Sequence, residues 1–360
     1  MKNINFSGSY LKSDVTFLLK LIEIEDLAVD KKEKLIQSGK KHYSEMISPE
    51  YQPSEKYLNI FYKSLELNIK RFSQDILNFA FNIPQNSIIV SLARAGTPIG
   101  VLVKRIAHNR RNIDFPHYSI SIIRDRGIDE NALKYILEKH PKQDIFFIDG
   151  WTGKGVISRE LKQWITKFNK KNNTNIKPNL AVISDISGKA DFSVSTEDYL
   201  IPSSALNSTI SGLVSRTILN SDYIKDNDFH GCKFYSELQN SDLSLWFVDK
   251  IVKFTETLKP TISNFLTQDF KQEKMCKNYI TELMDKFSIS DINFIKPGIA
   301  ETTRVLLRRI PYMILLQDIN SDEVQHLIQL ANEKGVIINE IKNLPYTAIG
   351  IIKKLKEING

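Results

Sequence analysis

The fold is decided by the segment Ile145-Phe146-Phe147-Ile148-Asp149-Gly150-Trp151-Thr152-Gly153-Lys154-Gly155-Val156-Ile157. A short apolar run that ends in one carboxylate predicts a buried strand, and the glycine- and threonine-containing turn after it leads into a helical pattern. The N-terminus of a helix presents backbone N–H groups that bind anions. The segment therefore predicts a phosphate-binding turn between a strand and a helix, with Asp149 placed for sugar hydroxyls or a metal ion.

Strand-like and helical segments alternate around this turn. The predicted strands cover residues 87–92, 118–123, 145–149 and 180–184, with a weaker fifth at 199–201. The predicted helices between them cover residues 98–108, 130–140 and 155–168. Such alternation is typical of an α/β fold with a mostly parallel sheet flanked by helices. Upstream, apolar periodicity predicts helices over residues 15–27 and from Leu58 to Phe79.

Composition limits the classes of protein that fit. The 360 residues, 42% hydrophobic and 25% charged, predict two or three soluble domains. The chain contains no run of about 20 apolar residues, and its first residues lack the apolar core of a signal peptide. We therefore expect a cytoplasmic protein without a membrane contact. Two cysteines without a CxxC pair indicate neither a disulfide framework nor a structural zinc site.

Positive charge is concentrated in one part of the chain. The net charge is +7, and the stretch from Leu92 to Arg126 holds seven basic residues against two acids. Arg94, Arg124 and Arg126 fall at the ends of predicted strands. Ligands of open parallel sheets bind beyond the carboxyl ends of the strands. These arginines therefore predict an anionic ligand at that edge.

The two strand-end loops resemble those of the type I phosphoribosyltransferases. Residues 146–155 are similar to that family's 5′-phosphate loop, and residues 91–98 are similar to its pyrophosphate loop. The resemblance implies a phosphoribosyltransferase-like sheet and transfer of ribose 5-phosphate from phosphoribosyl pyrophosphate to a base-like small molecule. It also implies a Mg²⁺ cofactor, held by Asp149 through water. The family usually has two adjacent acids, whereas Asp149 is followed by Gly150.

The resemblance assigns roles to individual residues. The implied catalytic residues are Asp149, Arg94, Arg124 and Arg126. The implied substrate-binding residues are Ala95, Gly96, Thr97, Gly150, Trp151, Thr152, Gly153, Lys154, Gly155, Asp185 and Ser187. An ordinary Asx turn explains Asp185 and Ser187 equally well. Lys154 does not complete a nucleotide-binding P-loop, because the spacing between the glycines is too short.

The same motifs are similar to a bacterial subgroup found with tellurite-resistance and stress genes, some members of which are labelled cysteine proteases. Cys232 lies two residues after His230, so a thiol and an imidazole are close together in the sequence. Catalytic dyads are assembled in space and need a third, orienting group. The sequence therefore disfavours a cysteine protease.

A second motif lies near the C-terminus. The run from Gly298 to Arg304 resembles the Gly-x-Asn-Glu-x-x-Lys signature of the pelota-type RNA-binding domain, with Ala300 in the position of its asparagine. This resemblance implies a small α/β sandwich and possible RNA binding. The implied RNA-binding residues are Lys296, Gly298, Glu301, Arg304 and Arg308. A dimerisation or lid module is the alternative, and a homodimer is possible.

These observations divide the chain into four parts. We expect a helical hood segment at 1–55, a phosphoribosyltransferase-like domain at 56–270, a helical connector at 271–287 and a pelota-type domain at 288–360. The expected function is a phosphoribosyltransferase that makes a nucleoside-like stress metabolite. Two alternatives remain: a non-catalytic regulator that senses phosphoribosyl pyrophosphate or a nucleotide and binds RNA, and an enzyme that acts on RNA itself.

Overall fold

The computed structural model describes residues 5–354. Its strands are β1 Thr16–Phe17, β2 Lys20–Leu21, β3 Ser87–Ala93, β4 His117–Ile123, β5 Gly127–Ile128, β6 Asp144–Thr152, β7 Leu180–Asp185, β8 Phe192–Ser195, β9 Gly231–Cys232, β10 Leu266–Thr267, β11 Ile295–Pro297, β12 Pro311–Leu316, β13 Ile337–Glu340 and β14 Ala348–Ile352. Its helices are α1 Val29–Gln37, α2 Glu55–Asn82, α3 Gly96–Arg111, α4 Glu130–Lys139, α5 Val156–Asn172, α6 Ser244–Thr255, α7 Phe270–Lys286, α8 Ile299–Arg308 and α9 Gln325–Glu333. Across the described residues, no helix combines the length and apolar character of a membrane span.

The larger sheet has the order β1-β4-β3-β6-β7-β8-β10, with β5 paired to β4. Its strands from β1 to β8 along this order are parallel, and β10 and β5 pair in the antiparallel direction. This arrangement confirms the expected mixed α/β architecture with a mostly parallel sheet. Because β3, β4 and β6 are neighbours, the loops that follow them meet at one edge.

Helices cover both faces of this sheet. Successive side chains of a strand point to opposite faces, so Ile89 packs into the core beneath α2, α3 and α6, while Ile88 and Val90 pack against α4 and α5. The long helix α2 begins where Ser54 accepts a hydrogen bond from the Tyr57 N–H. The helices predicted at residues 58–79, 98–108, 130–140 and 155–168 are confirmed as α2, α3, α4 and α5.

Two predicted elements are wrong. Residues 15–27 are not a helix, because β1 pairs with β4 and β2 pairs with β9, so long-range backbone hydrogen bonds override the local periodicity. Residues 199–201 are not a strand. The Tyr199 hydroxyl instead donates to Asp75 on α2, and the fifth parallel position is taken by β8.

The C-terminal domain is a separate α/β sandwich. Its sheet has the order β11-β14-β12-β13. One face packs against α7 through Ile280 and Leu283, and the other packs against α8 and α9 through Leu306 and Leu327. The pelota-like fold expected here is therefore present.

A carboxylate of the first domain joins the two domains. Asp198 accepts hydrogen bonds from the Ile299 N–H at 2.9 Å and from the Thr347 N–H at 2.8 Å. Its backbone carbonyl also accepts from the Thr347 hydroxyl at 3.0 Å. The apolar core continues from α2 into α8 and α9. Asp198 therefore satisfies the first N–H group of α8, which otherwise lacks a partner within its helix.

This contact predicts a loss of stability in Asp198→Ala. The variant leaves two backbone N–H groups without their charged acceptor, which costs about 3 kcal/mol. Urea unfolding followed by circular dichroism measures this change, and the weakened contact should make the C-terminal domain unfold first. The matched control is Asp269→Ala, which removes the exposed N-cap of α7 and should cost about 1 kcal/mol. Equal losses in the two variants would contradict a special role of Asp198.

Candidate functional site

A cleft of about 1420 Å³ lies between the two domains, at the carboxyl edge of the larger sheet. We call it the interdomain cleft. The expected site residues that line it are Arg94, Ala95, Arg124, Asp149, Trp151, Thr152, Gly153, Lys154, Gly155, Lys296, Glu301, Arg304 and Arg308. The expected residues that do not line it are Arg126, Gly96, Thr97, Gly150, Asp185, Ser187 and Gly298. The structure therefore gathers both predicted sites, the strand-end loops and the pelota motif, into one cleft.

The turn between β6 and α5 has the predicted strand–turn–helix form. Gly155 directly precedes α5 with φ +67°, and a Cβ there would lie 2.1 Å from the Lys189 side chain. A residue with a side chain would be strained at that φ and would displace Lys189. The sequence therefore needs glycine at this position to start the helix close to the loop after β7.

The polar side chains behind this turn bond to one another. The Thr152 hydroxyl donates to Asp185, and the Ser187 hydroxyl lies 2.9 Å from the Thr152 oxygen. Asp185 also accepts from the backbone N–H groups of Lys189 at 3.0 Å and Ala190 at 2.9 Å. Asp185 and Ser187 are thus buried and hydrogen-bonded within the protein, but Asp185 accepts from the fourth and fifth residues on, whereas the side chain of an Asx turn bonds to the second. The hydroxyl of Thr152, one of the implied substrate-binding residues, is hydrogen-bonded within the protein.

Asp149 is a half-buried carboxyl group in the cleft. Its Oδ1 accepts from the Gly150 N–H at 2.8 Å. Desolvation raises the pKa of Asp149 to about 7, against the smaller lowering effects of that hydrogen bond and of Arg304. Mg²⁺ is bound through ionised oxygen ligands, so it would compete with the proton on this single carboxyl group. In the described part of the chain, His, Cys, Asp and Glu form no group of three or more that suits a metal ion. The expectation of magnesium stays a prediction.

The predicted arginines have different surroundings. Arg94 forms an ion pair with Glu50 at 2.7 Å and donates to the Val214 carbonyl at 3.0 Å. Arg124 lies over the Tyr43 ring, with its guanidinium carbon 5.3 Å from the ring centroid. Arg126 pairs with Glu45 at 3.0 Å, outside the interdomain cleft. Of the three, only Arg94 and Arg124 face the cleft.

The pelota motif forms the opposite wall. Glu301 pairs with Arg304 at 3.0 Å, and Arg304 lies over the Trp151 ring at 4.6 Å from its centroid. Gly298 has φ +95°, and a Cβ there would lie 2.6 Å from Ile186, so the start of α8 packs on the first domain. Asp198 already occupies this helix end. The motif therefore offers side-chain cations to the cleft, while the N-terminus of its helix already has Asp198 as an acceptor.

Several charged residues of the cleft carry no sequence signal. Lys32 and Glu33 lie on α1, Glu50 lies before α2, Arg216 lies before β9, and Arg309 follows α8. They are far apart in sequence and belong to no motif. Only the tertiary fold brings them to the cleft, although the compact cluster of basic residues at 304–309 was a partial signal.

Both cysteines lie outside the cleft. Cys232 is 0% exposed and Cys276 is 2% exposed. Burial raises the pKa of each thiol, most strongly that of Cys232. The His230 Nδ1 atom lies 2.8 Å from the Ser121 hydroxyl, and burial lowers the pKa of this imidazole. In this conformation the His230 ring is paired with a serine, and the thiols are protonated at neutral pH.

The raised pKa of Asp149 predicts how Asp149→Asn changes the pH dependence of stability. The unfolded carboxyl group has a pKa of about 4 and the folded one a pKa of about 7, so ionisation destabilises the folded state as pH rises between these values. Asp149→Asn removes this penalty. We expect the variant to match wild type near pH 4 and to gain about 2 to 3 kcal/mol near pH 8, less than the full shift gives because the group is half-buried.

Urea unfolding at both pH values measures this difference. Asp125→Asn, which changes an exposed carboxylate in the loop after β4, is the matched control. A variant less stable than wild type at high pH would show that Asp149 is ionised and well solvated.

Comparisons with known proteins fit both halves of the chain. The model of the family described as "Tellurite-like stress resistance cysteine protease StiP" matches residues 8–252, and that of the "PELOTA RNA binding domain" matches residues 274–354. A relative from Acinetobacter baylyi, named "Cysteine protease StiP", is 39% identical over 373 residues, which cover 97% of this chain and 95% of the relative.

These matches correct the expected function. The family and the relative are named as cysteine proteases, the activity that the sequence disfavoured, and neither name is that of a phosphoribosyltransferase. The expectation of a phosphoribosyltransferase was therefore wrong; it rested on two loops whose strand–turn–helix shape is compatible with more than one chemistry. The links to stress resistance and to a pelota-type domain are supported. The chain belongs to the tellurite-like stress resistance cysteine protease StiP family, and it carries a PELOTA RNA-binding domain.

Proposed function

We propose that the chain binds RNA in the interdomain cleft. The observation that carries this proposal is that the cations of the matched RNA-binding domain and the strand-end loops of the first domain line the same cleft. Lys296 and Arg304 form one wall, and Arg124 and Lys154 form the other. The two walls touch, because Lys154 donates to the backbone carbonyl of Ile292, so an RNA segment would lie along the open side of this contact and reach both domains.

The charge of the cleft supports a polyanionic ligand. Twelve Lys and Arg residues line it among the described residues, against five Asp and Glu residues. Desolvation and neighbouring cations lower the pKa of Lys154 to about 7, with Lys296 and Arg124 as the main neighbours. The pKa of Lys296 is also lowered, chiefly by desolvation. Phosphates placed between these groups would relieve their mutual repulsion, and such contacts supply most of the affinity for nucleic acid.

Aromatic side chains support a strand with unpaired bases. Tyr51 lies at the rim of the cleft and is 77% exposed, while the Trp151 ring lies inside it with Arg304 over one face. Stacking of bases on such rings is the usual way in which proteins hold single-stranded RNA. Ala300, in place of the motif's asparagine, lacks the amide that would read a base edge. We therefore expect phosphate contacts and stacking to dominate over base-specific hydrogen bonds.

Lys154→Gln and Lys296→Gln test this proposal. Each variant removes one cation from the cleft, so each should weaken binding of a fluorescein-labelled, 5′-hydroxyl RNA several-fold. Each should also reduce the slope of log affinity against log salt by about 1. Fluorescence anisotropy over a range of salt concentrations measures both quantities.

Lys63→Gln is the control, because Lys63 is exposed on α2 and does not line the cleft. It should bind RNA like wild type. The proposal fails if wild type does not retain the RNA at low salt, or if the two cleft variants match the control.

The second candidate is a cysteine peptidase, the activity printed in the names of the family and of the relative. Cys232 is its best nucleophile, since His230 is two residues away in the same strand region. A nucleophilic thiol must be ionised and must reach its substrate. Because Cys232 is buried in this conformation, peptidase activity requires the segment around β9 to move and expose it.

Cysteine variants test this candidate. If Cys232 is the nucleophile, Cys232→Ala should abolish hydrolysis of a fluorescently labelled casein, and Cys276→Ala should retain it. Modification by iodoacetamide under native conditions, followed by mass spectrometry, should detect alkylation of Cys232 during turnover. Full hydrolysis by Cys232→Ala, or loss of hydrolysis in Cys276→Ala alone, would exclude this assignment.

A further inference from the structure

Five cations from distant parts of the chain meet on one side of the interdomain cleft. We call this set the cationic cluster; its members are Lys32, Arg94, Arg216, Arg308 and Arg309. Lys32, Arg94 and Arg216 belong to the first domain, and Arg308 and Arg309 belong to the C-terminal domain. The cluster therefore exists only while the two domains are in contact.

Two carboxylates face the cluster. Glu50 pairs with Arg94 at 2.7 Å and also accepts from the Ser208 N–H at 2.9 Å. Glu33 pairs with Arg309 at 2.9 Å. Five cations and two carboxylates leave an excess of about three positive charges when Lys32 is protonated. Positive charges that are removed from water without partners are energetically costly. An anionic ligand would lower this cost.

The arginines of the cluster hold unused donors. Arg216 donates to the backbone carbonyls of Tyr43 and Met46, and Arg308 donates to that of Leu206 at 2.9 Å. These neutral carbonyls fix the guanidinium groups in place without cancelling their charge. The Nε atoms of Arg216, Arg308 and Arg309 are sealed from solvent and have no hydrogen-bond partner. A ligand in the cleft can therefore contact the accessible parts of these arginines and not their Nε atoms.

We propose that the cationic cluster binds a multiply charged phosphate group, a chain of two or three linked phosphates. Fixed guanidinium forks suit the paired oxygens of phosphate, and the excess charge requires more than the single charge of an internal RNA phosphate. Two sources carry this chemistry: the 5′-triphosphate end of an RNA and a free polyphosphate compound. The assignment of an RNA end as the ligand rests on the proposed RNA binding, whereas the existence of the phosphate site does not.

Lys32 gives the site a dependence on pH. Desolvation, and then Arg216 and Arg309, lower the pKa of Lys32 to about 7, while Glu33 and Glu50 oppose this effect. A bound anion favours the charged amine, so binding takes up a proton above neutral pH. Because the terminal phosphates of the ligand gain charge over the same range, the lysine is measured as a difference: the affinity of wild type relative to that of Lys32→Gln should fall between about pH 6 and about pH 8.

Titration calorimetry with sodium tripolyphosphate and the full-length chain tests the site. We expect one site per chain, a rise in Tm because the ligand bridges both domains, and weaker binding in salt. Lys32→Gln and Arg308→Gln should each weaken binding about tenfold, the usual effect of losing one charge-assisted contact. Lys63→Gln should bind like wild type.

Two RNAs of the same sequence distinguish the sources. If the RNA end is the ligand, the 5′-triphosphate form should bind about tenfold tighter than the 5′-hydroxyl form, and Arg308→Gln should abolish this difference. Equal binding of the two RNAs, together with tripolyphosphate binding, assigns the site to a free polyphosphate compound.

The site is overturned if folded wild type does not bind tripolyphosphate, or if both cluster variants bind it like wild type. Circular dichroism establishes that each variant is folded, and Lys32→Gln covers the case in which Arg308→Gln does not fold. If wild type binds tripolyphosphate but does not bind the 5′-hydroxyl RNA, the proposed RNA function is refuted and the polyphosphate site stands.

Discussion

The main constraint on the interdomain cleft is electrostatic: two packed domains bury more positive than negative charge between them. Arg94, Arg216 and Arg308 each donate to a backbone carbonyl, and Glu50 pairs with Arg94. Such carbonyl contacts set the direction of each guanidinium group but leave its charge in place. A site with this arrangement is preorganised for an anion, because its donors are already oriented when the ligand arrives.

The arrangement needs a strong contact elsewhere, since like charges on the two domains repel each other. The apolar core that continues from α2 into α8 and α9 supplies the buried apolar area of this contact. Asp198 fixes the position of α8 against the first domain. The Asp198 carboxylate lies at the N-terminus of α8, where the positive end of the helix dipole favours it. It holds the start of α8 while the end of the same helix carries Arg308 toward the first domain. The contact at the start of α8 therefore positions Arg308, at the end of the same helix, in the cleft.

Local sequence patterns predicted the elements and only part of the site. The segment from Ile145 to Ile157 predicted a strand, a tight turn and a helix because its apolar run and Gly155 act locally. Parallel pairing of β3, β4 and β6 then accounts for the meeting of Arg94, Arg124 and Asp149. By contrast, Val15 to Leu27 has helical periodicity but pairs with β4 and β9, a choice made by distant residues. Arg216 and Glu50 were missed for the same reason. The expectation of a phosphoribosyltransferase failed for a different reason: it was inferred from the shape of two loops, and loop shape does not determine chemistry.

The two proposed functions make opposite demands on the segment that carries Cys232. Gly231 pairs with Ile218, and Val214 pairs with Phe234, so the residues around Cys232 form a bridge with the segment that contains Arg216. Val214 in turn accepts the hydrogen bond that orients Arg94. Movement that exposes the Cys232 thiol would break these pairs and release both arginines from the cleft. An anion bound by Arg94 and Arg216 favours the paired conformation, because a ligand stabilises only the state to which it binds more tightly. Filling the cleft should therefore keep the thiol buried and protonated, and the thiol would become reactive only when the cleft is empty.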